Sequence, residues 1–261
     1  MSLKLVLSGA TGRMGTALRR LIEADSELEL VGGIDRADAA ERVGGVRVAP
    51  LASSADLIRQ ADAVIDFSAP AFLGSLLREH SESLAGKALL VGTTGLGDAE
   101  RSLLQAQAER GPVLVAANFS VAVNLVLILA EQAARVLGPE YDVEIVEAHH
   151  RRKEDAPSGT ALALGEAVAR GRSVELGSVR RDGRSGRPGA RPAGEIGFHA
   201  IRGGDLIGEH DVMFIGELDR LTLSHHAADR SLFAAGALRA ARWLVGRPAG
   251  QYSMQDVLGL G

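Results

Sequence analysis

The sequence contains no cysteine, very little lysine and few aromatic residues, which make up 3% of its 261 residues. Without cysteine, disulfides and thiolate metal sites are excluded, and the composition is compatible with a reducing compartment. No apolar run approaches the ~20 residues that a membrane-spanning helix needs. The N-terminus shows no secretory signal pattern. We therefore expect neither a membrane-embedded nor an exported protein.

The charge balance is mildly acidic, with a formal net charge of −4 and a pI near 6.0. This balance argues against a general nucleic-acid-binding protein, which would carry an excess of basic residues. Hydrophobic residues make up 46% of the chain, so we expect a globular protein. The length suffices for one large domain or two modest ones, each with its own core.

The lysines are Lys4, Lys87 and Lys153, so nearly all of the 29 basic residues are arginine. Arginine does not release its proton in proteins, whereas lysine can. Lys153, which ends an Arg-Arg-Lys run, therefore indicates a task that arginine cannot perform. The alternative is that its position is a matter of chance.

A strand, a glycine-rich turn and a helix open the chain. The strand at residues 4–8 leads into Gly9-Ala-Thr-Gly-Arg-Met-Gly15, a G-x-x-G-x-x-G spacing that predicts a phosphate-binding turn. Asp35 ends the next strand about 20 residues later, where an acidic residue would bind the ribose hydroxyls. Arg36 could instead meet a 2′-phosphate, so the pair predicts a site that accepts NADH and NADPH. The alternative is an exposed acid–base pair on a loop.

Strand and helix patterns alternate as far as residue 120, which predicts a Rossmann-like, doubly wound parallel sheet of the α/β class. Ligands of such sheets bind at the carboxyl ends of the strands. Two loops, 92–94 and 116–119, follow predicted strands there and are candidate walls of a nicotinamide site. Ordinary turn chemistry is the alternative for both loops.

The second half of the chain predicts a different, α+β domain. A long apolar helix at 121–137 precedes a strand at 141–146, and strands at 195–202, 206–215 and 218–225 should extend that strand into an antiparallel or mixed sheet. An open sheet face needs cover, so we expect an oligomer. Residues 171–194 are predicted to form a mobile, arginine-rich surface loop. We expect His80 on a helix surface, and His199, His210, His225 and His226 in structural rather than catalytic roles.

The stretch from Glu147 to Thr160 combines a pair of histidines with a lysine and a helix start. Ser158 can cap the helix, and we expect the amides of Gly159 and Thr160, at the positive helix end, to bind an anion. A histidine beside such a site can donate a proton near neutral pH. If the strand runs through His149 and His150, only one of them lines the site, and if it ends at Ala148 both can. The alternative is a strand end that is hydrogen-bonded to the sheet.

This stretch resembles the hallmark motif E-[LA]-H-H-x-x-K-x-D-A-P-S-G-T-A of the 4-hydroxy-tetrahydrodipicolinate reductase family, also called dihydrodipicolinate reductases. It stands here complete at 147–161. The glycine turn at 9–15, Asp-Phe-Ser at 66–68, Gly-Thr-Thr-Gly at 92–95, Ala-Ala-Asn-Phe-Ser at 116–120, the stretch 196–205 and Gly-Glu-His at 208–210 also match. The resemblance covers almost the whole chain in the family's order.

The resemblance implies a cytoplasmic homotetramer that uses NADH or NADPH to reduce a cyclic dicarboxylic imine in lysine and diaminopimelate biosynthesis. It implies a discontinuous nucleotide domain, 1–120 with 231–261, and a substrate-binding and oligomerisation domain, 121–230. No metal, nucleic-acid or membrane partner is implied. A different nicotinamide-dependent amino-acid or semialdehyde dehydrogenase, or a non-catalytic nucleotide sensor, remains an alternative. Ala69 departs from members that carry a basic residue or histidine there, which bears on the 2′-phosphate preference.

Carried over by motif position, the site residues fall into three groups. His149 is the proton donor and acceptor, and Lys153 is a second proton donor. His150, Gly159 and Thr160 hold the substrate. The residues implied in cofactor binding are Gly9, Ala10, Thr11, Gly12, Arg13, Met14, Asp35, Arg36, Gly92, Thr93, Thr94, Ala116, Ala117, Asn118 and Phe119.

Overall fold

Two sheets organise the protein, a computed structural model that describes residues 2–39 and 41–260. The eight-stranded sheet belongs to unit 1, which comprises Met1–Ser120 and Ser231–Gly261. The five-stranded sheet belongs to unit 2, Val121–Arg230. The chain thus leaves unit 1 once and returns to it for its last helices.

Unit 1 is built from strands that alternate with helices along the chain. Its strands are β1 (Leu3–Ser8), β2 (Leu28–Asp35), β3 (Arg42–Val43), β4 (Val46–Pro50), β5 (Ala63–Asp66), β6 (Ala88–Val91), β7 (Pro112–Val115) and β13 (Gly250–Tyr252). Its helices are α1 (Arg13–Glu23), α2 (Ala55–Gln60), α3 (Pro70–Glu79), α4 (Ser81–Leu84), α5 (Asp98–Ala108), α9 (Ser231–Leu244) and α10 (Met254–Leu258), with a 3₁₀ turn at Leu51–Ser53.

The sheet of unit 1 is covered by apolar layers on both faces. Leu5 and Leu7 of β1 belong to the core that includes residues of α1 and α9, whereas Val6 belongs to the core that includes residues of α3 and α5. Because successive side chains of a strand point to opposite faces, such a strand is apolar throughout. This explains why the short strands of unit 1 are continuous apolar runs in the sequence.

The strand order of unit 1 is β13-β7-β6-β5-β1-β2-β4-β3. All neighbouring pairs are parallel except β3 with β4. The chain moves from β1 to β2 on one side and later places β5 on the other side of β1. The carboxyl ends of β1 and β5 therefore form a topological switch point, where ligands of such sheets bind. The predicted Rossmann-like fold is confirmed.

Unit 2 contains a mixed sheet in the order β12-β11-β8-β10-β9. β10 is parallel to β8 and β9, whereas β11 is antiparallel to β8 and β12, so the predicted mixed sheet is confirmed. One face packs against helices through a single apolar core. The elements are α6 (Val121–Leu137), a 3₁₀ turn (Gly138–Glu140), β8 (Asp142–His149), α7 (Gly159–Gly171), α8 (Leu176–Val179), β9 (Arg180–Asp182), β10 (Ile196–Arg202), β11 (Glu209–Ile215) and β12 (Arg220–His226).

The helical stretch Val121–Glu140 corrects one sequence expectation. Its 20 residues, with a mean hydropathy of 1.6 over the most apolar window, are long and apolar enough to cross a membrane by length and composition. Only 17% of that window is buried. Core helices of proteins that never meet a membrane pass the same test, so one such helix is weak evidence. Its α6 part packs along α7 and β12 within unit 2.

The arginine-rich segment after α7 is more ordered than the mobile loop that the sequence predicts. It contains α8 and β9, and β9 pairs with β10. Arg184 Nη1 lies 2.9 Å from Glu144 Oε1, and Arg191 Nε lies 2.9 Å from the same oxygen. The prediction of a loop is therefore wrong for residues 176–182, which form α8 and β9, whereas residues 183–194 lie in no helix or strand. Within that loop, Arg184 and Arg191 bind the buried Glu144.

The expectation that His80 lies on a helix surface is also wrong. His80 follows α3 and is buried. Its Nε2 lies 2.8 Å from the Leu51 carbonyl oxygen and 3.2 Å from the Ser54 hydroxyl. These partners are distant in sequence, so the spacing of residues could not indicate them.

Candidate functional site

The glycine turn of unit 1 lies at the switch point and packs closely on its neighbours. Gly9 adopts a φ of +77°, and a Cβ there would lie 2.6 Å from the Phe67 carbonyl oxygen. A Cβ at Gly15 would lie 2.4 Å from the Ala10 carbonyl oxygen. Helix α1 begins at Arg13, and the first amides of a helix have no acceptor within it. The first amides of α1 therefore lie at a positive helix end, which suits a phosphate.

Asp35 anchors this turn as well as lying beside it. Its Oδ2 accepts hydrogen bonds from the Thr11 amide at 2.8 Å and from the Thr11 hydroxyl at 2.7 Å. Its Oδ1 accepts from the Arg36 amide at 2.9 Å. The Arg36 side chain is mostly exposed, with Nε 3.6 Å from Asp38. The structure thus places Asp35 against the predicted turn, whereas the Arg36 side chain lies beside Asp38.

A buried carboxyl group joins three strand ends at the same edge. Asp66 accepts hydrogen bonds from the hydroxyls of Ser8 at 2.5 Å, Ser68 at 2.6 Å and Thr93 at 2.5 Å. Burial raises the pKa of Asp66, although the three hydroxyls oppose the shift. These bonds hold the exits of β1, β5 and β6 together. Sequence analysis named the motif around Asp66 but gave the residue no role.

The two predicted nicotinamide loops meet at Phe67. A Cβ at Gly92 would lie 2.1 Å from the Phe67 ring, and the Phe67 and Phe119 rings make an edge contact with centroids 5.5 Å apart. Phe119 is buried and serves as a core residue. Among the other predicted wall residues, Thr93 is buried, Ala116 and Asn118 are half-buried, and Thr94 and Ala117 are exposed.

In unit 2, His149 and Glu147 lie at the carboxyl end of β8. The strand runs on through His149, three residues beyond the predicted end at Val146, and His150 follows it. His149 Nδ1 lies 2.6 Å from Glu147 Oε2. Both side chains are buried, and as residues two apart on a strand they share a face. The sequence left open whether the strand ends at Ala148 or continues through His150, and the observed end at His149 lies between the two.

Glu147 is held by four donors. Arg202 Nη2 donates to Oε1 and Arg202 Nη1 to Oε2, each at 2.7 Å, and the Ser158 amide donates to Oε1 at 3.0 Å. His149 supplies the fourth. Burial alone would raise the pKa of Glu147, but the bonds from Arg202 and His149 outweigh it and lower the pKa. Glu147 is therefore an ionised carboxylate in a buried position.

The environment of His149 disfavours its charged form. Burial lowers the pKa of His149, and the charges of Lys153 and Arg202 act in the same direction. The carboxylate of Glu147 raises the pKa and offsets part of this shift. A histidine poised between these opposing effects can exchange a proton without remaining charged.

His210, for which we expect a structural rather than a catalytic role, lies beside His149. It lies opposite Glu147 on β11 and is buried. Its ring makes an edge contact with that of His149, with centroids 5.2 Å apart, and its Nε2 lies 3.1 Å from the Ser158 hydroxyl. Burial lowers the pKa of His210 to about 4, with a further contribution from His149.

Lys153 lies in the turn that follows β8. Its amide donates to the His150 carbonyl oxygen at 3.1 Å, and its Nζ lies 2.8 and 2.9 Å from the two carboxylate oxygens of Asp155. The Lys153 bond lowers the pKa of Asp155. The lysine is partly exposed, with 21% of its side-chain surface accessible, so an anion can reach it.

The predicted helix start is present. α7 begins at Gly159, and the Ser158 hydroxyl caps it by accepting a hydrogen bond from the Ala161 amide. Gly159 is exposed, with open space within 4 Å of its Cβ direction, and Thr160 is half-buried. His150 is half-buried, and within the described part of the chain its Nδ1 is a buried atom with no hydrogen-bond partner.

Four neighbours of His149 were given no role in the site from the sequence. Glu147 and His210 stand in quoted motifs, so alternation along the strand could have linked Glu147 to His149. Arg202 is 55 residues from Glu147, and no spacing rule predicts that pairing. Gly208 lies against the histidine, because a Cβ there would be 3.0 Å from His149 Nε2. Within residues 2–39 and 41–260, no group of His, Asp, Glu or Cys side chains is placed to hold a metal ion.

Together, these features define a dinucleotide-binding α/β protein whose second unit combines an anion site with a buried acid–base pair. Family profiles agree. The profile "Dihydrodipicolinate reductase, N-terminus" matches residues 3–119, and "Dihydrodipicolinate reductase, C-terminus" matches residues 122–258. The chain belongs to the dihydrodipicolinate reductase family. The predicted family is thus confirmed, and with it the class of oxidoreductases that use a nicotinamide cofactor.

Curated relatives match the chain from end to end. The 4-hydroxy-tetrahydrodipicolinate reductase of Alkalilimnicola ehrlichii is 48% identical over 273 residues, which cover 100% of both chains. That of Parvibaculum lavamentivorans is 46% identical and covers 99% of this chain and 98% of its own. A dipicolinate-bound dihydrodipicolinate reductase from Paenisporosarcina sp. TG-14 shares the fold, with a TM-score of 0.77 at 23% identity over 98% of this chain and 99% of that one.

Proposed function

We propose that this protein converts 4-hydroxy-tetrahydrodipicolinate, a cyclic imine dicarboxylate, to tetrahydrodipicolinate, a reaction in which NADH or NADPH supplies a hydride and the 4-hydroxyl group leaves as water. The reaction belongs to diaminopimelate and lysine biosynthesis. One observation carries the proposal. His149, paired with a buried carboxylate, stands in the same unit and the same chain segment as Lys153 and the open N-terminus of α7. The names of the full-length relatives support it.

The residues of unit 1 fit a nicotinamide dinucleotide. The pyrophosphate fits the glycine turn at Gly9, where a Cβ would clash, and the first turn of α1. Asp35 suits the ribose, and Arg36 suits a 2′-phosphate, so both cofactors remain candidates. The bound nicotinamide supplies the hydride. The loops 92–94 and 116–119 are proposed as walls of its site.

The substrate carries two carboxylates, and unit 2 offers donors that suit them. Lys153 supplies a positive charge, for which a substrate carboxylate would compete with Asp155. The amides of Gly159 and Thr160 stand at the positive end of the 13-residue helix α7. The partnerless Nδ1 of His150 supports a further contact with the ligand.

Loss of the hydroxyl as water leaves a conjugated imine. Hydride addition to this imine leaves negative charge on the ring, and a proton must neutralise it. We assign this proton to His149, because an imidazole can donate near neutral pH. Lys153 is proposed as a second donor close to the substrate. Both residues require substrate to be held beside them, which is the task of the α7 amides.

The proposed division of labour is nucleotide binding in unit 1 and substrate binding and oligomerisation in unit 2, in a cytoplasmic homotetramer. The helices of unit 2 cover one face of its sheet. The side chains of Met213 and Ile215 alternate with core residues of β11 and so belong to the other face, as does the exposed Ile201 of β10. A second subunit would cover this face, and light scattering would measure the assembly.

A coupled assay tests the activity. Pyruvate, aspartate semialdehyde and a dihydrodipicolinate synthase generate the substrate, and absorbance at the NADPH band follows its reduction. Oxidation only in the complete mixture supports the reductase. Oxidation with aspartate semialdehyde alone would indicate a different dehydrogenase, and cofactor binding without any turnover would indicate a nucleotide sensor.

A further inference from the structure

Glu147 is placed to control which nitrogen of His149 carries a proton. Its Oε2 lies 2.6 Å from His149 Nδ1, a short hydrogen bond of the kind that a charged acceptor makes. Both residues lie on β8, a hydrogen-bonded strand flanked by β10 and β11, so their backbone positions are held by the sheet. The contact is therefore a built feature of the strand end.

The other bonds of Glu147 leave His149 no alternative to donating. Arg202 donates twice and the Ser158 amide once, so every other partner of the carboxylate is a hydrogen-bond donor. An ionised carboxylate can only accept. His149 Nδ1 must then carry a hydrogen, and in the neutral imidazole Nε2 is left with its lone pair.

The structure also keeps space beside Nε2. Gly208 lies next to this nitrogen, and a Cβ there would stand only 3.0 Å away. The φ of Gly208 lies outside the left-handed region, so the backbone does not require glycine at this position. The absence of a side chain at Gly208 thus leaves room beside Nε2 and is not required by the backbone of the turn.

We propose that Glu147 is a positioning residue for the reaction, which fixes His149 as the Nδ1–H tautomer and makes Nε2 the atom that exchanges the proton with the substrate. The inference rests on the proposed function, because it assumes that His149 is the proton donor. Arg202 keeps Glu147 ionised, so the proton given up in the reaction comes from Nε2 and not from the carboxyl group. The same carboxylate also accepts a hydrogen bond from the amide of Ser158, the residue that caps α7.

The charges around His149 determine the sign of the expected pH effect. Removing the negative charge of Glu147 removes the one partner that raises the pKa of His149. The pH above which the proton donor is lost should therefore move down. The groups that face His149 or its neighbours are Glu147 on β8, Lys153 in the following turn, Arg202 on β10, His210 on β11 and His225 on β12.

Glu147→Gln is the variant that tests the proposal. A glutamine amide can donate to Nδ1 and so favour the wrong tautomer. We expect kcat to fall about 100-fold, the alkaline limb of the kcat profile to shift to lower pH, and the KM for NADPH to stay unchanged. Glu147→Asp keeps the charge and should restore part of kcat.

Glu144→Gln provides a matched control. Glu144 is likewise a buried carboxylate of β8, bound by arginines and by His199 at 2.7 Å, but its side chain points to the opposite face. This variant removes the same charge from the same strand and should leave the pH limb in place. An equal fall in kcat and an equal shift in both variants would overturn the proposal, because it would indicate general destabilisation.

A measurement on the unmodified protein covers the case in which Glu147→Gln does not fold. Nitrogen-15 NMR of the imidazoles distinguishes a protonated Nδ1 from a protonated Nε2. We expect His149 to show the Nδ1–H form above its titration, and an Nε2–H form would overturn the proposal. His149→Gln separates the two proposals. If His149→Gln keeps full kcat, the proposed role of His149 is wrong. If His149→Gln loses kcat while Glu147→Gln keeps it, only the proposed role of Glu147 is wrong.

Discussion

The rings of His149 and His210 meet edge to face, with centroids 5.2 Å apart and planes inclined by 75°. The two residues come from adjacent antiparallel strands, β8 and β11, and both are buried. Two imidazolium ions at this separation would repel each other. Since burial already lowers the pKa of His210 to about 4, this ring stays neutral and leaves any proton to His149.

We predict that His210 makes stability depend on pH between about 6.5 and 4. The neutral form is favoured in the folded state, so the unfolded state binds more protons in this window and stability falls as the pH falls. The full effect of lowering the pKa of His210 from its ordinary value of 6.5 to about 4 corresponds to about 3 kcal/mol. Denaturant unfolding at several pH values measures it. His210→Gln should reduce the slope. His149 and His225, whose pKa values are also lowered by burial, add to the remainder, as do Glu144 and Glu147, whose pKa values are lowered by their basic partners, toward pH 4.

We predict that Lys153→Ala lowers kcat by at least 100-fold and leaves NADPH binding nearly intact, because the lysine belongs to the substrate site. Lys153→Arg should not restore kcat, since arginine does not release its proton. Arg152→Ala is the control. Arg152 is the neighbouring cation, but it is exposed and paired with Asp205. Steady-state kinetics measure kcat, and fluorescence titration measures NADPH binding. An equal loss of activity in both alanine variants would contradict the assignment.

We predict that Gly208→Ala lowers kcat about tenfold or more, because the new methyl group would press on His149 Nε2 from 3.0 Å. Gly203→Ala serves as the control. Its amide donates to the His149 carbonyl oxygen, yet nothing lies within 4 Å of its Cβ direction. Both variants should melt near the temperature of the unmodified protein. Similar kcat values in the two variants would remove the steric argument.

We predict that Asp35→Ala weakens both cofactors and weakens NADH more than NADPH. The loss for both follows from the missing anchor of Thr11, and the additional loss for NADH follows from the missing ribose contact. Thr11→Val removes only the hydroxyl bond to the anchor. Dissociation constants for both cofactors in both variants separate the contributions. Equal losses in Asp35→Ala would leave Asp35 with the anchoring role alone.

We predict that Arg191→Ala destabilises the protein by about 3 kcal/mol, because it leaves a buried carboxylate and two backbone carbonyls short of a partner. Arg191 binds Glu144 and Asp142 and donates to the carbonyl oxygens of Val143 and Glu195. Arg187, an exposed arginine of the same segment, is the control. Chemical denaturation should show almost no change for Arg187→Ala. Comparable losses in both variants would contradict the ion-pair account.

The elements of this fold could be predicted well where a local pattern suffices. The helix Val121–Leu137 has the predicted bounds, because it is a continuous apolar run. β8 ends later than predicted. The polar residues at the end of this strand are typical of a loop. In the structure, however, His149 pairs with Arg202 of β10 and Glu147 pairs with His210 of β11.

The candidate site divides in the same way. Local sequence indicated the glycine turn, the Ser158 cap and the histidine–lysine segment, because each depends on residues a few positions apart. Arg202, Gly208 and His210 were not recognised as neighbours of His149, since they reach it from β10 and β11 or the turn between them. The arginine-rich segment was misjudged for the same reason, because Glu144 is more than 35 residues away from Arg184.

The amino-acid sequence by itself determined the family, the Rossmann-like unit and the presence of a histidine, a lysine and a helix start in one short segment. Those features are encoded by spacing along the chain, which local backbone geometry converts directly into structure. Only the tertiary structure decided which nitrogen of His149 is held, that Glu147 is ionised and that His210 stays neutral. These properties depend on burial and on charges that distant strands bring together, and neither quantity exists before the sheet has formed.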